Sequence, residues 1–241
     1  TLSLLNKFDN ISTFPSGENL QIELFIRDSE IQSTLLDQIK KEFDYFEFRR
    51  ITNKNWVVQN VMDDKGVESE LFLISQGLSK KKKIRKKYEL VIPGNSAFGT
   101  GNHATTHLCI RCIEYLTKKK KYFRICDLGT GSGILSFVLH KITKKNIVSI
   151  DIDPVTKQCF LDNKKKNFLK NVFFLLNDGL KCTYLKNKKF DLIVSNMLCN
   201  VQKKNVKDYY KSLTTNGRII ISGILVEQEN DIIAYFNKFN L

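Results

Sequence analysis

From Tyr122 onward the chain alternates between short, continuously apolar runs and longer polar stretches with helical spacing. YFRICDL, NIVSIDI, VFFLL, FDLIVSN and GRIIISGIL carry apolar residues toward both faces, the pattern of strands covered on two sides in a parallel sheet. GILSFVLHKI and PVTKQCFLDNKKKNF between them read as helices. The second opens on Pro154, where a missing N–H costs a helix nothing. Strand–helix alternation of this kind means a doubly wound, Rossmann-like α/β sheet, expected over residues 86–241.

Residues 1–85 follow another pattern. LQIELFIRD reads as a strand, SEIQSTLLDQIKKEF as an amphipathic helix with Ser29 as its N-cap, and YFEFRRI as a second strand. A smaller N-terminal α+β domain is expected there, with the lysine-rich stretch 79–87 as a linker or solvated loop. A chain of 241 residues can bury one large core or two modest ones.

The segment DLGTGSG, residues 127–133, closes the first strand of the α/β part and opens its first helix. Its G-x-G-x-G spacing lets the backbone turn tightly and lets a ligand approach Gly129 and Gly131 closely. It is not the G-x-G-x-x-G of a pyrophosphate cradle. Asp151 ends the next strand, 22 residues after Gly129, where a carboxylate can accept both hydroxyl hydrogens of a ribose. Asp153, directly before Pro154, suits a helix cap instead. Asn196 ends FDLIVSN and offers both a carbonyl acceptor and an NH₂ donor. Ligands of such sheets bind beyond the carboxyl ends of the strands, so Gly129, Asp151 and Asn196 are expected to converge.

This set resembles the class I S-adenosylmethionine methyltransferases. AFGTGNHATTH, ICDLGTGSGILS, SIDIDP, SNML and ISGIL, in that order, narrow the resemblance to the ribosomal protein L-eleven methyltransferase family. The resemblance implies S-adenosyl-L-methionine as cofactor and a loop at 96–107 that folds over it. Gly99 and Gly101 would give this loop backbone freedom, and Thr105 and Thr106 short hydroxyls for a methionine carboxylate or amine. For His103 and His107, helix-cap chemistry competes with a place in the site. Carried over by motif position, the cofactor residues are Thr106, Gly129, Gly131, Asp151 and Asn196. Asp178, after the third strand with Asn177, is added near the expected adenine. The chain departs from the family pattern at Asn102 and Ala104 beside the loop histidine. It also lacks a proline after Asn196, and it reads as truncated or divergent at both ends.

The resemblance further implies protein N-methylation of ribosomal protein L-eleven, at lysine side chains, the α-amine or both. Asn196 would be the catalytic residue. Its carbonyl would accept an N–H of the amine and aim the lone pair, without a fixed charge that would favour the ammonium form. Neither a covalent intermediate nor a metal is expected. The N-terminal domain would present the substrate, with acids such as Glu42, Asp44 and Glu47.

Composition bounds what else the chain can be. Apolar runs are too short for a membrane helix, and TLSLLNKFDN lacks the form of a signal peptide, so a cytoplasmic monomer is expected. The six cysteines are scattered and read as free thiols; CIRC has no second CxxC to complete a zinc site. With 39 Lys plus Arg against 25 Asp plus Glu, weak contact with the ribosome or RNA through lysine runs is a further expectation. Two readings compete: a class I methyltransferase acting on RNA or another amine, and a non-catalytic assembly module that keeps the fold.

Overall fold

The computed structural model describes residues 11–16, 19–24, 37–38, 41, 67–77, 86–93, 103–239 and 241. The chain forms two compact units, Thr1–Thr52 and Asn53–Leu241.

In the first unit, β1 (Ile11–Ser16) and β2 (Asn19–Leu24) form an antiparallel hairpin with Ile11 opposite Leu24. The sequence pattern anticipates β2 but not β1, because Pro15 lies inside β1. Among the described residues the hairpin has two strands, and proline is tolerated in an edge strand. Asp37, Gln38 and Lys41 are helical and exposed, within the helix expected at 29–43. Ser29 and the YFEFRRI strand lie outside the described residues.

The second unit holds two sheets. In the smaller one, β4 (Phe72–Ser75) pairs antiparallel with β3 (Val67–Glu68) and parallel with β5 (Tyr88–Val91). The domain boundary expected near residue 85 falls between β4 and β5, which are hydrogen-bonded neighbours. A run of lysines between two short strands looks like a linker when the strands themselves give little signal.

The larger sheet is wholly parallel and has the order β10-β9-β6-β7-β8. Its strands are β6 (Ile125–Leu128), β7 (Ile147–Asp151), β8 (Val172–Leu176), β9 (Phe190–Asn196) and β10 (Leu213–Ser222). The chain runs outward from β6 to β8, then returns to β9 on the other side of β6. The strand order therefore reverses between β6 and β9, and such a switch point opens a crevice at the carboxyl edge. Helices α1 (Ala104–Lys119), α2 (Ile134–Thr143) and α3 (Pro154–Lys166) contribute to the core on one face, and α4 (Cys199–Ser212) and α5 (Glu229–Asn237) to the other. Neighbouring residues of one strand point to opposite faces: Leu192 and Val194 join the first core, Ile193 the second.

Two polar clamps fasten the small sheet to the helices. Buried Glu114 of α1 accepts the Ser69 hydroxyl at 2.6 Å and the Leu71 N–H at 2.9 Å. Asn167, just past α3, accepts the Val91 N–H and donates to the Val91 carbonyl, both at 2.8 Å. That side-chain amide pairs with β5 as another strand's peptide group would.

Candidate active site

The glycine loop leaves β6 at Leu128 and turns back against β7. The N–H groups of Gly129 and Thr130 both donate to the Ile150 carbonyl, at 2.8 and 3.0 Å. The N–H of Gly131 donates to Asp151 Oδ2 at 2.8 Å. These donors are spent on β7, so the loop offers no row of free N–H groups to a phosphate. This is the behaviour expected of G-x-G-x-G. Gly129 has φ of +73°, and a Cβ there would lie 2.6 Å from the Met197 side chain. A glycine keeps this spot open to close approach, with only a flexible thioether across from it.

Beneath the loop, Asp127 is fully buried. Its Oδ2 accepts the hydroxyls of Thr130 and Ser136 at 2.7 and 2.6 Å. Its Oδ1 has no partner among the described residues. Burial raises its pKa from 3.8 to about 6, with the hydroxyl bonds opposing the rise.

Asp151 ends β7 half-buried. Besides the Gly131 N–H, it accepts the Asp153 N–H on Oδ1 at 3.0 Å. Each carboxylate oxygen keeps a second lone pair for a ligand hydroxyl. Asp153 caps α3 by accepting the Val155 N–H at 2.8 Å, with Pro154 in the first turn. Asn177 is consumed locally, donating to the carbonyls of Gly179 and Lys181. Asp178 stands exposed beside it, past the end of β8.

Asn196 and Thr106 meet across 90 residues of sequence. Asn196 Nδ2 donates to Oγ1 of buried Thr106 at 3.4 Å, which leaves Asn196 Oδ1 able to accept. His103 is the N-cap of α1, and its Nδ1 lies 2.8 Å from Thr105 Oγ1. Both side chains are thus engaged in starting the helix. Gly99 and Gly101 lie outside the described residues. Cys109 and Cys112 of CIRC both sit on α1, the first buried and the second exposed, and no metal-holding cluster occurs among the described residues.

Several contributors escaped the sequence reading. Ile152, Val155 and Leu176 are 64, 62 and 46% exposed, large apolar groups left in solvent beside Asp151 and Asp178. They suit the flat, apolar face of an adenine. Gln202 of α4 is fully buried, and its Nε2 donates to the carbonyls of Ser195, Met197 and Ser222 at 3.0, 3.4 and 3.1 Å. Tyr209 donates to Gln202 Oε1 at 2.7 Å. The strand ends on either side of Asn196 are therefore fixed from below by one helix. A glutamine in a polar helix gives no sequence signal of this.

An acid for ribose, an apolar face for adenine and an open glycine together fit a nucleoside-bearing cofactor. The model of the family "Ribosomal protein L11 methyltransferase (PrmA)" matches residues 7–241. A Rhizobium meliloti protein named ribosomal protein L11 methyltransferase is 28% identical over 218 residues, covering 89% of this chain and 75% of that protein. A Staphylococcus carnosus protein of the same name is 34% identical over 149 residues, or 60% of this chain and 46% of that one. The solved structure of a ribosomal protein L11 methylase from Lactobacillus delbrueckii subsp. bulgaricus aligns with TM-score 0.64 and 27% identity, over 71% of this chain and 86% of that one. The match runs through both units and the whole cofactor edge of the sheet, and the chain belongs to the ribosomal protein L11 methyltransferase family.

Proposed function

We propose that this protein uses S-adenosyl-L-methionine to methylate amino groups of ribosomal protein L11, at lysine side chains, the α-amine or both. Family membership supports the reaction class. The observation that carries the mechanism is the Asn196–Thr106 bond, because it engages one N–H of the amide and leaves the amide oxygen as an uncharged acceptor.

When bound, S-adenosylmethionine supplies a methyl group on a sulfonium sulfur, whose departure as a neutral thioether needs no acid. The residues around it have to bind, orient and exclude water. Asp151 would accept the ribose hydroxyls. Ile152, Val155 and Leu176 would cover the adenine, with Asp178 near it. Gly129 and Gly131 allow close approach, and Thr106 and Asn196 border the reacting end. A lysine amine, ordinarily charged near pH 7, must reach the site neutral. Asn196 Oδ1 holds one of its N–H groups and directs the lone pair, and no carboxylate stands there to retain the proton.

The N-terminal residues 1–85 are proposed to present the substrate; Glu42, Asp44 and Glu47 lie outside the described residues. No helix among the described residues is long and apolar enough to cross a membrane, and a cytoplasmic monomer is proposed. The test is incubation with methyl-labelled cofactor and total ribosomal proteins, purified L11, or ribosomal RNA. Label confined to L11 supports the proposal. Label in RNA favours the second reading, an RNA methyltransferase on the same fold. No label in any fraction, from protein that binds cofactor, refutes catalysis.

A further inference from the structure

The strands of the parallel sheet begin at one edge and end at the opposite one, and charge is sorted between the two. The segments that enter the strands are residues 120–125, 144–147, 168–172, 186–191 and 211–218. Together they hold eleven lysines and arginines and one acid, Asp191. The segments that leave the strands are residues 127–133, 150–154, 176–180, 195–199 and 222–229. They hold six acids and no lysine or arginine. A bias toward lysine spread evenly over the chain would not divide in this way.

The cations at the entering edge are not neutralised by acids, although Lys120 and Lys189 donate to the carbonyls of Asn216 and Lys211. The single acid, Asp191, has its oxygens on the N–H groups of Phe123 and Arg124, at 2.9 and 3.0 Å. Lys121, Arg124, Lys144, Lys145, Lys170 and Lys188 form no ion pair with a described acid. Helix dipoles do not account for them either. Four helices end here, each equivalent to roughly half a negative charge, about −2 in all. Their own last turns already carry Lys118, Lys119, Lys141, Lys164, Lys165, Lys166 and Lys211.

Aromatic rings stand more than half exposed among these cations, two of them with a lysine over one side. Phe123 is 56% exposed with Lys145 Nζ 4.6 Å from its ring centroid, and Tyr184 is 64% exposed with Lys188 Nζ at 3.6 Å. Tyr184 stands next to a groove of about 560 Å³ lined in part by Lys186, Lys188, Lys189 and Lys211, and by Lys181 paired with Asp208 at 3.2 Å. Phe168 is the extreme case, 91% exposed and held at φ of +54° where α3 ends. Its N–H and that of Leu169 close the helix on the carbonyls of Lys165 and Lys164. Glycine is the usual residue at that left-handed position, because a side chain there is strained. Here a bulky ring takes it and is presented wholly to solvent.

We propose that this edge, opposite the methyl-transfer site, binds single-stranded RNA. Lysines spaced along a line neutralise phosphates, and exposed rings give unstacked bases a surface to stack on. Five strand ends span about 19 Å, room for a handful of nucleotides. Duplex RNA offers the phosphates but hides the bases. The choice of RNA over DNA rests on the proposed ribosomal substrate; the rest of the argument does not.

Fluorescence anisotropy with a labelled single-stranded RNA about twelve nucleotides long, and the full chain, tests the proposal. Two double variants lose equal charge: Lys145→Glu with Lys188→Glu on the edge, and Lys157→Glu with Lys204→Glu on exposed helix positions away from it. The edge variant should bind at least about tenfold more weakly, with a salt slope shallower by about 1.4, for two lost contacts at roughly 0.7 each. The control should change less than about threefold. Phe168→Ala should weaken single-stranded RNA severalfold and leave duplex RNA unaffected. Equal losses in the two double variants, or no binding by the unaltered chain at about 50 mM salt, overturn the proposal. Single-stranded DNA bound as tightly as RNA would overturn the choice of RNA. Cofactor affinity and methylation of RNA-free L11 should be unchanged in the edge variant. Failure of the unaltered chain to methylate L11 would count against the proposed function alone.

Discussion

Both oxygens of Asp151 accept backbone N–H groups, so this side chain ties the glycine loop to β7 before any ligand arrives. Asp151→Ala should therefore weaken S-adenosylmethionine by about ten- to a hundredfold, the loss of charged hydrogen bonds of roughly 1.5–3 kcal/mol. It should also speed amide exchange at Gly131; calorimetry and exchange read the two effects separately. Asn196→Asp keeps the acceptor and adds a charge that favours the ammonium form of the amine. Its rate should fall at neutral pH and partly recover toward pH 10, while Asn196→Ala stays low throughout. Initial rates over that range decide the point. Asp127 contributes in the opposite sense to a paired carboxylate. Its folded pKa, about 6, lies above the ordinary 3.8, so the folded state holds the proton more tightly. The stability it contributes is complete below that ordinary value and is lost as pH rises through about 6, a cost of about 3 kcal/mol at pH 7. Urea unfolding between pH 4 and 7 should show stability falling with pH more steeply in the unaltered protein than in Asp127→Asn.

At the scale of elements, the parallel strands were legible because each is apolar on both faces, and α3 because Asp153 and Pro154 mark its start. The small sheet was not, since β3 and β4 are two and four residues long and carry no clear alternation. Its attachment depends on Glu114 and Asn167, polar side chains whose partners lie 43 and 76 residues away. No local pattern encodes such pairings. The same holds for Gln202, whose three carbonyl partners belong to two strand ends. Glycine loop, acid and asparagine could be read in order along the chain; what holds them in place could not. Gln202→Leu removes one donor from the Ser195, Met197 and Ser222 carbonyls, of which the last keeps the Met197 N–H at 3.1 Å, and costs about 1–3 kcal/mol for each carbonyl left dry and unpaired. Chemical denaturation should show that loss, and Tyr209→Phe should cost only about 1 kcal/mol.

For the whole molecule, net charge proved a poor guide. A balance of +14 suggests a substrate surface unsuited to a basic protein, yet the edge bearing the site is lined by acids and the opposite edge by lysines. Where the units divide also has a measurable consequence. A chain beginning at Lys87 would strip β4 from β5 and uncover Leu90 and Ile92, whereas one beginning at Asn53 keeps the second unit whole. The shorter chain should melt at lower temperature, and the longer one should retain cofactor affinity while losing L11 methylation. The two charged edges lie a strand length apart, about 17 Å for five residues and some two Debye lengths at 0.15 M salt. They are electrically separate under those conditions. At low ionic strength the screening fades, and the parallel sheet carries a permanent electric moment directed along its strands. Such moments turn in the field of a polyanion before contact, lysine edge foremost. Copies of the chain do not line up in the same way, because each carries +14 and the repulsion between them is strongest where screening is weakest. Light scattering should therefore find single molecules in low-salt buffer, and association only on adding a polyanion.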